Sequence, residues 1–109
     1  MPVIDVRRVT REMLTEPIEV HVEGFSLDLN SARSIADQKA SQCSKNPVLL
    51  AWFEKRTGRH SPNIAYGCQE KPSWLIYAQF RGGSISVDIN DQEYVFVYRP
   101  GEFTSYLFV

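Results

Sequence analysis

Cysteine is scarce: only Cys43 and Cys68 occur in 109 residues. Two are too few for a disulfide framework, and in the cytosol both are expected to be reduced thiols. An excess of positive charge is also lacking. Twelve basic against 13 acidic residues leave a net charge of −1, which argues against a general nucleic-acid binder. No apolar run approaches the ~20 residues that span a bilayer. The opening MPVIDVRRVTREML carries charges where a signal peptide needs an apolar core. The chain therefore reads as cytoplasmic, with no membrane partner.

Catalytic and cofactor motifs are missing too. GxSxG, HExxH and the phosphate loop GxxxxGK(S/T) do not occur. The soft metal ligands are Cys43, Cys68, His21 and His60, with no CxxC or HxxxH pair among them. Structural zinc sites usually bring ligands in such local pairs, so no metal and no cofactor is expected.

What is present suits one globular domain over residues 1–109. The hydrophobic fraction is 43% and the charged fraction 23%, with 6 Phe, 5 Tyr and 2 Trp to fill a core. The stretch PIEVHVEGFSLDL (17–29) alternates twice about Gly24. A turn at Glu23-Gly24 would set Ile18, Val20 and Val22 against Phe25, Leu27 and Leu29 on one face, a half-buried hairpin. In NSARSIADQKASQCS (30–44), Ala32, Ile35, Ala36, Ala40 and Cys43 recur at helical spacing behind a cap at Asn30 or Ser31. Cys43 is thus expected in packing. PVLLAWFEKRTG (47–58) reads as a second helix, with Asn46 as cap, Pro47 at the first position and Gly58 at the C-terminal end.

Strand patterns follow. WLIYAQF (74–80) alternates, as do SISVDI (84–89) and EYVFVY (93–98). A Gly82-Gly83 turn would join the first two. In the second pair Ile89 faces Tyr94, Val87 faces Phe96 and Ile85 faces Tyr98, which makes those aromatics core rather than a base-stacking platform. FTSYLFV (103–109) reads as a last strand. The first 15 residues fit either a strand at VIDV with a short helical turn at VTREML, or one helical face. The expectation is an α+β fold: an antiparallel or mixed sheet of five to six strands, made of an N-terminal hairpin and a C-terminal meander, with two consecutive helices on one face.

Two helices cannot cover both faces of such a sheet. Val95 and Val97, with Leu75 and Tyr77, would form a second apolar patch, and a homodimer through the outer face or edge of the meander would bury it. Covering by the N-terminal segment is the alternative.

The place for function is RTGRHSPNIAYGCQEKPSW (56–74), where hydrophobic periodicity breaks down. Lys45, Lys55, Arg56, Arg59, His60 and Lys71 gather around it, opposed in that span by Glu54 and Glu70. Such a group of cations suits a carboxylate, a phosphate or an acidic surface. The leading expectation is a non-catalytic binding or accessory protein. It would take a protein partner or a small anionic ligand, with Arg56, Arg59, His60, Asn63, Tyr66 and Lys71 as contacts. The alternative is a thiol-dependent enzyme or redox protein with Cys68 as nucleophile and His60 as base, Arg59 or Lys71 lowering the thiol pKa.

Overall fold

A computed structural model describes residues 9–23, 26–64 and 71–101. Its strands are β1 (Ile18–Val20), β2 (Val48–Glu54), β3 (His60–Ser61), β4 (Ile85–Ile89) and β5 (Tyr94–Arg99); its helices are α1 (Leu29–Ser41) and α2 (Ser73–Phe80). The sheet order is β1-β4-β5-β2-β3, with β1 parallel to β4 and the other pairs antiparallel. The fold is α+β with a five-stranded mixed sheet. No helix among the described residues is long and apolar enough to cross a membrane.

The hairpin β4–β5 has the register its alternation requires: Ile89 opposite Tyr94, Val87 opposite Phe96 and Ile85 opposite Tyr98. Its four-residue loop is unusual. Asn90, Asp91 and Gln92 all take positive φ, at 52°, 53° and 67°. Left-handed backbone costs a non-glycine residue roughly 1–2 kcal/mol, so the loop needs support from outside. Asp88 supplies part of it by accepting from the Gln92 backbone amide (2.6 Å) and the Gln92 side-chain amide (2.5 Å). Asn90 supplies the rest. Its side chain accepts from the Val22 amide (2.8 Å) and donates to the Val22 carbonyl (3.3 Å), extending the β1–β4 ladder.

The other elements depart from their sequence patterns. Strand β1 does not pair with residues 26–29. It joins β4 instead, with Ile18 beside Val87 and Val20 beside Ile89. Asp28 is the reason: its side chain accepts from the Ser31 amide at 2.8 Å, so the helix starts at Leu29. A carboxylate that caps a helix competes with a strand ladder at the same residues. Gly24 and Phe25 lie outside the described residues.

The segment read as a second helix is strand β2. Its register shifts between Leu49 and Ala51, which is a β-bulge. Leu50, Ala51 and Phe53 therefore pack on one face, and Leu49 and Trp52 on the other. A strand buried on both faces has no polar alternation, and a bulge breaks period two. Together these make a strand resemble a buried helix.

The segment read as the strand 74–80 is helix α2. Trp74, Leu75 and Ala78 are its buried side, while Phe80 is 80% exposed. Gly82-Gly83 closes this helix rather than a hairpin. Gly82 has φ +85°, and the Gly83 amide donates to the Ala78 carbonyl at 2.9 Å, the six-to-one bond of a glycine-terminated helix.

The two helices consequently lie on opposite faces, not one. On one face α1 presents Ala32, Ala36 and Ala40 to Ile85, Val87, Ile89, Tyr94, Phe96 and Tyr98. Small side chains let that helix sit close to the sheet. On the other, α2 places Trp74, Leu75 and Ala78 against Ala51, Phe53, Val95 and Val97, and Val9 and Leu14 complete the cluster. Residues 11–13 form one short 3-10 turn, the helical turn expected in VTREML. The patch of Val95 and Val97 that motivated a homodimer is thus covered within the chain, by α2 and by the segment that carries Val9 and Leu14. Cys43 is exposed, past the end of α1 rather than in its packed stripe. The last strand, 103–109, lies outside the described residues, as does VIDV.

Candidate functional site

The turn from β2 to β3 gathers Lys55, Arg56, Thr57, Gly58 and Arg59. Gly58 takes φ +78° there, and its amide returns to the Glu54 carbonyl at 2.9 Å. The Glu54 amide donates across the turn to the Arg59 carbonyl at 2.9 Å. This backbone closure brings residues 54 and 59 together.

Their side chains then meet. Glu54 ends β2 with its side chain 4% exposed. One oxygen, Oε1, accepts from the Thr57 hydroxyl at 2.7 Å and from Arg59 Nε at 3.2 Å. Thr57 Oγ1 in turn accepts from the Arg59 amide at 3.1 Å. The Thr57 hydrogen bond, followed by that of Arg59 and the charges of Arg59 and Arg56, holds the Glu54 carboxyl below the ordinary carboxylate range against the opposing effect of burial. Glu54 also acts across the strand pair. Burial first, and then the Glu54 charge, push the Tyr94 hydroxyl pKa upward.

Arg59 is held by one edge and is otherwise open, its side chain 63% exposed. Lys55 and Arg56 are exposed beside it. His60, next along on β3, turns Nδ1 to the Pro62 carbonyl at 3.3 Å. A carbonyl only accepts, so Nδ1 is the donor in this contact. Asn63 is exposed two residues after Ser61.

The remaining cations of the 45–71 group lie elsewhere. Lys71 donates to Gln79 Oε1 at 3.0 Å, and Gln79 donates to the Met13 carbonyl at 3.1 Å, so Lys71 ties the start of α2 to the N-terminal segment. Lys45 is at the opposite end of β2, about 20 Å of strand away. Tyr66 and Cys68 lie outside the described residues, and with them the thiol of the catalytic alternative.

A second concavity was not among the sequence candidates. Glu19, Val20, His21, Asp88, Asn90 and Asp91 line a cleft of about 300 Å³ where β1 and β4 end. Its chemistry is largely committed to the fold. Asp88 is 2% exposed and both its oxygens hold Gln92, while Asn90 bridges to Val22 and Glu93. His21 pairs with Glu23 at 3.0 Å in solvent. Among the described residues no group of three His, Cys, Asp or Glu is placed to hold a metal ion. The available signal was the pair Asn90-Asp91, two residue types that tolerate left-handed backbone.

These features define a small α+β domain whose mixed sheet carries a helix on each face and whose β2–β3 turn holds three exposed cations, Lys55, Arg56 and Arg59. The chain belongs to the family described as a domain of unknown function (DUF5619), whose model matches residues 15–98. An Archaeoglobus fulgidus protein, described as uncharacterized, is 29% identical over 77 residues, 64% of this chain and 82% of its own length. The fold is also similar to a crystal structure of an Archaeoglobus fulgidus protein, with a TM-score of 0.68 and 28% identity over 82% of this chain and 98% of that one.

Proposed function

We propose that the chain is a small non-catalytic binding module that recognises an anionic group, on a small ligand or on a protein partner, at the β2–β3 turn. One observation carries the reading: the buried Glu54 carboxylate and Thr57 fix Arg59 by its Nε edge and its backbone amide. A guanidinium oriented in this way loses less rotamer freedom when its other nitrogens meet a carboxylate or phosphate. Lys55 and Arg56 add charge on the same turn, and His60 and Asn63 extend the surface along β3.

Exposed ion pairs contribute about 0–1 kcal/mol each, so a lone anion binds weakly. The suitable test is a titration of the labelled protein with inorganic phosphate, followed by amide chemical shifts. Saturable shifts should concentrate at residues 55–60, shrink with added sodium chloride, and vanish in Arg56→Ala/Arg59→Ala. Arg59→Lys should weaken binding as well, because a lysine cannot present the planar fork. Shifts spread over the whole surface, or unchanged in the double variant, would show that the turn is not the binding site.

A further inference from the structure

The side chains of the β2–β3 turn reach the face of the sheet that carries α1. Glu54 stands opposite Tyr94, whose ring belongs to the core under that helix. Trp52, two residues back on β2, points to the same face and packs on the same core. On β3, Arg59 meets Glu54, and Ser61 stands opposite Trp52. Trp52, Glu54, Arg59 and Ser61 therefore form one cluster on the last two strands of the sheet. Arg56 joins it, since its charge acts on both Glu54 and Tyr94. Helix α1, the one helix on this face among the described residues, packs its stripe of Ala32, Ala36 and Ala40 on β4 and β5. Trp52 lies at the border of that core and stays partly exposed, as does Ser61.

The acids around this cluster all have partners. Glu54 accepts from Thr57 and Arg59, Glu93 from the Asn90 side chain at 3.1 Å, and Asp28 from the Ser31 amide at 2.8 Å. What the cluster offers is a flat apolar ring and two guanidinium groups. The ring stands about 7 Å along the strand from Glu54, the carboxylate that orients Arg59. One ring joined directly to one anionic group covers that distance. A bare anion would leave Trp52 without a role, and a neutral ring would leave both guanidinium groups without one.

Resting on the anion site at that turn, we propose that its ligand is a small molecule with a flat ring. The ring stacks on Trp52 while a phosphate or carboxylate attached to it meets Arg59 and Arg56. The test compares two pairs of probes by amide and indole chemical shifts of the labelled full chain: phenyl phosphate against inorganic phosphate, and benzoate against acetate. In at least one pair the aromatic member should bind about tenfold tighter, the gain from one buried ring stack. The pair that shows it identifies the anion. The Trp52 indole N–H should shift with the aromatic member and much less with the bare anion. Trp52→Leu keeps apolar bulk at the border of the core but removes the flat face, so the ratio should fall to about one. Trp52→Phe keeps a ring and should keep a ratio above one. A ratio near one in both pairs of the wild-type chain overturns the proposal and leaves the anion site standing. So does a tenfold ratio that survives Trp52→Leu, or one that leaves the Trp52 indole unmoved. No saturable shift at residues 55–60 with any of these probes removes the anion site itself, and the proposal with it.

Discussion

Glu54 is a charged residue at the end of a strand that the fold has nearly closed off from water, with 3% of its surface exposed. Burial alone would favour its neutral form. Thr57 and Arg59 reverse that preference, so the ionised carboxylate is part of the folded state. A carboxyl whose folded pKa is depressed contributes stability that is present above its unfolded value, near 4.5. That contribution is lost as pH falls through the folded pKa. Glu54→Gln keeps the shape and one acceptor but removes the charge. It should lower stability by about 1–2 kcal/mol near neutral pH in urea unfolding. The gap between wild type and variant should then narrow in acid, as Glu54 itself becomes protonated; a gap that stays constant at every acid pH where the fold persists would count against this role. Tyr98 has the opposite linkage. Burial, and then its bond to Asp37, raise its pKa, so its contribution is present below the unfolded value near 10 and is lost in alkali. Both residues were legible as types in the sequence. Their partners were not, because Glu54 meets Arg59 through a turn that the sequence pattern placed in a helix.

Among the elements, Gly82 and Gly83 do the work of ending α2 and seating it on the sheet. The Gly83→Ala methyl would require the Ala78 carbonyl or Val97 to give way, and one of these is backbone. The expected cost is about 1–3 kcal/mol, the range for overpacking a close contact. Gly82→Ala should cost about 1 kcal/mol, through its positive φ alone. Thermal or urea unfolding of the two single variants checks the order, and equal costs would show that close packing at Gly83 is not what matters. The same dipeptide shows where the sequence misleads. Gly-Gly ends a helix or turns a hairpin, and WLIYAQF is apolar enough to satisfy period two by default. The hairpin β4–β5 was legible because polar Ser86 and Asp88 alternate with Ile85, Val87 and Ile89, and the partner strand matches them in register. Strand β2 was not, because its two apolar faces and its bulge erase alternation. Of the candidate site, Arg56, Arg59 and His60 were readable as neighbours in sequence, and the fold keeps them together. Lys45 and Lys71 were assigned by proximity in the chain, and the strand–helix crossing carries them away.

At the scale of the molecule, placing one helix on each face changes what the sheet requires of its surroundings. With both helices on one face, Val95 and Val97 would need a second copy to leave water. With α2, Val9 and Leu14 over them, both are fully buried in a single chain. Among the described residues the edges of the sheet are the three residues of β1 and the two of β3. Edges this short offer few backbone groups to a neighbouring strand, whereas stable subunit interfaces bury about 1,200 Å² or more. The mass measured by light scattering after size exclusion should therefore be that of one chain, 12.5 kDa, at micromolar concentration and moderate salt. A two-chain mass would require a surface other than the Val95–Val97 face. Testing that mass in Phe80→Ala would show whether the exposed ring at the end of α2 carries it: loss of the dimer would assign it there, and persistence would assign it elsewhere.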